Sequence, residues 1–141
     1  MKINFDISKT LDELEGVDSG EPTYMSSLVI TAHRLRKTPL KDWTPQDITR
    51  MLGQQMSLIF LVPLAINLLH EDPLLDGMWY PGDLFKILCY LPHSVWETQL
   101  KWQEEFDAIM LKAINQVKTD ADPTEFTKDL IEKSIQNYQN Q

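Results

Sequence analysis

The run from Met56 to Leu69, MSLIFLVPLAINLL, is apolar on nearly every side of any helix it forms, so other elements must cover it all round. It is shorter than the roughly 20 residues of a membrane span, and Pro63, Asn67 and the following His70-Glu71-Asp72 interrupt or bound it. The run therefore reads as the buried centre of a helical bundle. Pro63 leaves two forms open, one kinked helix or a second helix that begins there, and Asp72-Pro73 ends the element.

Helix signals surround this centre. Thr10-Leu11-Asp12-Glu13 has the spacing of a capping box and predicts a short helix, after which Gly16 and Gly20-Glu21-Pro22 break the chain into an acidic loop. Leu28, Val29, Ala32 and Leu35 recur near helical spacing between Tyr24 and Lys37, with cations in the last turn. Thr44-Pro45-Gln46-Asp47 marks a helix start, with Thr44 as N-cap, and the helix runs to about Gly53. Leu84, Ile87, Leu88 and Leu91 form the face of another, ended by Pro92. Ser94-Val95-Trp96-Glu97 reads as a second capping box opening a long helix to about Lys118, with Leu100, Phe106, Ile109, Met110, Ala113, Ile114 and Val117 inward. Asp122-Pro123-Thr124-Glu125 caps the last helix, and residues 136–141 are expected to fray. No segment alternates long enough to predict a strand. The expectation is an all-α, single-domain bundle of six or seven helices over residues 1–141, led by an acidic segment at 1–22.

The totals narrow the function classes. A chain of 141 residues, 43% hydrophobic and 24% charged, has the size and composition of one globular domain. Its first residues, MKINFD, lack the basic patch and apolar run of a secretory signal, and the single cysteine cannot form an internal disulfide; both fit the cytoplasm. A formal charge of −8 disfavours direct binding to nucleic acid and suits a basic protein partner. The charge is uneven: residues 1–22 hold two lysines against six acids, whereas 23–43 carry Arg34, Arg36, Lys37 and Lys41 against Asp42. Pairing between the two segments is the plainer reading of that asymmetry.

Self-sufficient chemistry is hard to find. His33, His70 and His93 are far apart and lack metal-ligand spacing, so no metal and no cofactor is expected. Cys89 sits in an apolar stretch where a thiol acts as a small buried hydrophobe. None of the five glycines belongs to a phosphate-cradling motif, and Glu104-Glu105 reads as a solvated face. Two loops stand out instead. Residues 15–24 present Glu15, Asp18, Glu21 and Tyr24 on a glycine-punctuated backbone, and residues 76–83 present Asp76, Trp79 and Asp83. Aromatic residues flanked by charge suit a protein interface, although Trp79 has an equal alternative as a plug folded back on the core and Tyr80-Pro81 reads as a rigid turn.

The segments Leu14-Glu15-Gly16-Val17-Asp18, Gly20-Glu21-Pro22-Thr23-Tyr24, and His33-Arg34-Leu35-Arg36-Lys37 followed by Pro39-Leu40 belong to a wider pattern. With Gly53-Gln54, Pro63-Leu64-Ala65 and Tyr80-Pro81-Gly82-Asp83-Leu84, it resembles an all-helical family of immunity proteins from contact-dependent growth inhibition (CDI) systems, over residues 14–91. The resemblance implies a non-enzymatic cytoplasmic inhibitor, monomeric and binding one toxin domain, often a nuclease and so often basic. The choice of Glu15, Asp18, Glu21, Tyr24, Asp76, Trp79 and Asp83 as partner-binding residues rests on charge and loop position, not on the family. Two rivals make different predictions. A helical adaptor for an unrelated host protein would have no toxin gene beside it, and an enzyme using His33 with Glu21 or Asp83 would bring them together in one concave site.

Overall fold

The computed structural model describes residues 1–23, 25–119 and 124–140. Among them are eight α-helices: α1 (Leu11–Glu15), α2 (Ser27–Arg36), α3 (Pro45–Gly53), α4 (Leu58–Glu71), α5 (Asp83–Cys89), α6 (His93–Glu97), α7 (Leu100–Thr119) and α8 (Glu125–Gln139). A 3-10 turn, Leu40–Asp42, joins α2 to α3. The class is all-α, as expected, and the described residues contain no strand beyond an isolated bridge between Asp76 and Pro81.

The helix starts follow the side chains that satisfy free backbone N–H groups. The Glu13 N–H donates to Thr10 Oγ1 at 3.1 Å while the Thr10 N–H donates to the Glu13 carboxylate at 3.2 Å. Thr44 and Asp47 repeat this reciprocal pair at 3.1 and 2.9 Å ahead of Pro45, whose missing N–H costs nothing in the first turn. Thr124 caps α8 by accepting from the Thr127 N–H at 3.1 Å; Asp122 and Pro123 lie outside the described residues.

The apolar run is a single helix, α4, with Pro63 in its interior. Leu61, Val62, Ala65, Ile66 and Leu69 are fully buried, and α3, α5 and α7 cover them. Each large side chain so buried contributes about 1.5–3 kcal/mol, which makes α4 the chief apolar anchor of the fold. α8 closes the far side against α5 and α7.

Two expectations fail at the C-terminal half, and the last helix runs further than its polar sequence suggests. Ser94 does not cap a long helix: Pro92 is the N-cap of the short α6, Ser94 lies inside it, and α7 begins only at Leu100, which raises the helix count to eight. Leu100 points outward, 65% exposed. α8 continues to Gln139, through most of the residues expected to fray. The cause is an aromatic cluster. Trp96 stacks on Phe106 at 4.9 Å, and Tyr138 from the end of α8 meets both rings edge-on at 5.7 and 5.4 Å. Seating Trp96 in the core sets the break between α6 and α7 and fastens the last turn of α8.

α2 departs from expectation in another way. Only Leu35 of its predicted apolar set is fully buried, and Leu28 reaches the surface. The helix lies at the periphery beside α1, with apolar side chains left outside.

Candidate partner-binding site

Peripheral α2 connects the two loops singled out in the sequence. At its C-terminal end, Arg36 is the hub of a network that holds the acidic loop. Its Nε donates to Asp12 Oδ1 at 2.8 Å, its Nη2 to Glu15 Oε1 at 2.6 Å, and its Nη1 points at the Ser57 hydroxyl, 3.4 Å away. Asp12 also accepts from the Ser19 N–H and hydroxyl at 3.0 and 2.8 Å, so its carboxylate clips the loop to α1. Burial works to raise the Asp12 carboxyl, but the Ser19 and Arg36 hydrogen bonds outweigh it and hold the group below the usual carboxylate range. The two oppositely charged segments thus pair within the molecule, as their composition indicated.

What remains free on this loop is smaller than the sequence implied. Glu15 is engaged by Arg36 and by the Ser57 hydroxyl at 3.2 Å. Asp18 stays open to solvent, its side chain 87% exposed, accepting from the Gly20 N–H at 2.9 Å and lying 4.0 Å from Lys37 Nζ. Glu21 is exposed. Tyr24 lies outside the described residues.

The second loop is built around a carboxylate that turns inward. Asp83, expected as a surface contact, is 2% exposed and accepts from the backbone N–H groups of Gly77, Met78, Trp79 and Leu84 at 2.7, 3.0, 2.9 and 2.7 Å. It also begins α5, where the helix dipole favours an anion. Gly77 fits close to α3: a Cβ there would overlap the Thr49 hydroxyl. Tyr80 packs edge-on against Phe126 at 5.4 Å, in keeping with a structural turn. With the backbone held this way, Trp79 is driven out rather than into the core and stands 67% exposed; Asp76 is exposed beside it.

Between these parts lies a groove of about 500 Å³, where the start of α2 (Ser27, Leu28) faces the end of α3 (Arg50, Gly53, Gln54) and the loop residues Met78 and Trp79. Leu28, 39% exposed, gives the groove apolar surface, and Met25, two residues before α2, is 82% exposed. The sequence hinted at Trp79 alone. Leu28 reads by its spacing as part of the buried face of its helix, and Arg50 and Met78 carry no motif.

The enzyme reading gains little from the geometry. His33 and Glu21 do line one shallow concavity, but His33 Nδ1 is engaged with the Val29 carbonyl at 3.1 Å, and Asp83 is locked in the other loop. His70 pairs with Glu105 at 2.6 Å and His93 with Glu97 at 3.5 Å. Cys89 is buried, and burial pushes its thiol far above the range in which a thiolate forms. Among the described residues no group of three or more His, Cys, Asp or Glu side chains gathers as for a metal, and no helix is long and apolar enough to cross a membrane.

No curated protein and no solved structure matches the chain. The family of CDI immunity proteins does, over residues 13–109, a span that takes in both loops, α2, the groove and the central helix. A match over well over half of the sequence, on an all-helical fold whose exposed features are an acidic loop and a tryptophan-edged groove, means that this chain belongs to the CDI immunity proteins.

Proposed function

We propose that this immunity protein acts by binding alone, in the cytoplasm, covering a basic nuclease domain of its cognate CDI toxin one to one with the face that α2 organises. Trp79, Asp76, Asp18 and Glu21 make the contacts, while Glu15 and Asp83 hold the loops from behind. One observation carries this reading: a rigid loop presents a tryptophan to solvent instead of burying it. Exposed tryptophans beside a pocket are the residues that most often dominate protein interfaces, at about 2 kcal/mol or more each.

The layout supports one continuous surface. α2 has ten residues, so the two loops at its ends are separated by about 15 Å, well within the footprint of a standard interface. A molecule of net charge −8 also draws a basic toxin toward it and disfavours nucleic acid on its own account.

Calorimetric titration with the toxin domain encoded beside the gene tests the assignment. Trp79→Ala is expected to weaken binding about 30-fold or more, the equivalent of 2 kcal/mol. Asp18→Asn with Glu21→Gln is expected to lower affinity mainly at low salt. Unchanged affinity in both variants, with the fold intact, would remove the toxin from this face.

A further inference from the structure

The groove beside Trp79 differs in charge from the loop that flanks it. Its one charged lining residue is Arg50, whose side chain forms no ion pair and no hydrogen bond among the described residues, in a protein with an excess of acids. Of the other cations near this face, Arg36 is committed to Asp12 and Glu15, whereas Arg34 and Lys37 are exposed and lie 4.0 Å from Asp47 and Asp18. The rest of the lining offers apolar surface from Leu28, Met78, Trp79 and Ile87. Asp83 fixes the wall that carries Met78 and Trp79, so the groove is formed before any partner arrives.

We infer that this groove receives a segment of the toxin that carries a bulky apolar side chain next to a carboxylate. This rests on the toxin-binding face proposed above and adds a second polarity to it. The apolar side chain fills the space between Leu28 and Trp79, and the carboxylate meets Arg50, a planar donor suited to two parallel hydrogen bonds. The interface is then mixed in charge: acids of this protein face toxin cations around Asp18 and Glu21, and Arg50 faces a toxin anion. Such an arrangement fixes register and rejects toxins whose anion is elsewhere.

The sign of one substitution separates this from a uniformly acidic surface. Against a basic toxin, Arg50→Glu adds negative charge and would tighten binding if attraction of opposite net charges were all that mattered. The inference instead predicts weakening, by about tenfold for Arg50→Gln and more for Arg50→Glu. It further predicts one toxin carboxylate whose neutralisation weakens binding to the wild type yet changes nothing against Arg50→Gln. Arg50 lies in the last turn of α3, so a thermal melt accompanies each variant, and the neutral Arg50→Gln serves if Arg50→Glu folds poorly. Unchanged or tighter binding by folded Arg50 variants, while Trp79→Ala still weakens it, overturns the groove's anion and leaves the face in place. Loss of effect in Trp79→Ala as well overturns the face itself. A dimer in sedimentation that Trp79→Ala dissolves would make a second copy of this chain the occupant and also overturn the inference.

Discussion

A carboxylate that accepts four backbone N–H groups within 3.0 Å has no lone pair left for a partner, and this is the position of Asp83. In the sequence it looks like one more loop acid, because nothing in Gly-Met-Trp-Tyr-Pro-Gly-Asp says that the chain will curl round its own last residue. Replacing it with Ala takes the acceptor from all four N–H groups, of which the bonds from Gly77 and Leu84 are buried, and about 3 kcal/mol of stability is expected to go, measured by denaturant unfolding. Asp83→Asn keeps the shape with weaker bonds, so its effect on toxin affinity should pass through Trp79: weaker binding in the wild type, little further change in Trp79→Ala. Additive losses in that cycle would mean that Asp83 does not act through the tryptophan. Arg36 is a second residue of this kind. Removing it strands the Asp12 carboxylate, whose side chain is only 11% exposed, and Arg36→Ala is expected to cost roughly 2–3 kcal/mol. Because the folded Asp12 carboxyl titrates below its ordinary value of 3.8, its contribution is complete above that pH and is lost as pH falls through the lower folded value. Glu105, held low chiefly by its hydrogen bond with His70, has the same sign, whereas burial raises Asp107, whose penalty is relieved in acid. Melts between pH 6 and about 2 should show this loss of stability, with a shallower slope in Asp12→Asn.

Helix starts that are written locally were legible, and those set by distant packing were not. Thr10, Thr44 and Thr124 cap where the residue pattern placed them. Ser94-Val95-Trp96-Glu97 has the same pattern and fails, since the pull of Trp96 into the ring cluster with Phe106 and Tyr138 overrides a cap. The same cluster, in which Tyr138 meets rings more than 30 positions before it, explains why a polar tail is helical to Gln139. Pro63 was ambiguous in sequence because its effect depends on the covering helices; with α3, α5 and α7 around it, α4 continues through. The turn between α3 and α4 hides another feature, two non-glycine residues with positive φ, Gln55 at 54° and Ser57 at 52°. Ser57 is braced by Arg36 and Glu15, whereas Gln55 has no such side-chain support among the described residues. Gln55→Gly is therefore expected to raise stability by about 0.5–1 kcal/mol, read from the unfolding midpoint; a loss would show that Gln55 rests comfortably there.

For the molecule as a whole, the sequence carried the class, the buried centre and the family resemblance, because apolar periodicity and short motifs are local properties. It carried the proposed binding face only in part. Trp79 and Asp18 stand out in both sequence and structure, but Glu15 and Asp83 turn to structural work, and the groove draws Leu28, Arg50 and Met78 from three separate segments. No linear pattern announces a surface assembled from α2, α3 and a loop. Hydrogen exchange of this protein, alone and saturated with its cognate CDI toxin domain, tests the proposed face most directly. Slowed exchange confined to residues 16–30, the end of α3 at 50–54 and the loop at 76–80 is the predicted result. Slowing on the outer side of α7 and α8, around Leu111 and Lys118, with those three segments unchanged, would contradict it.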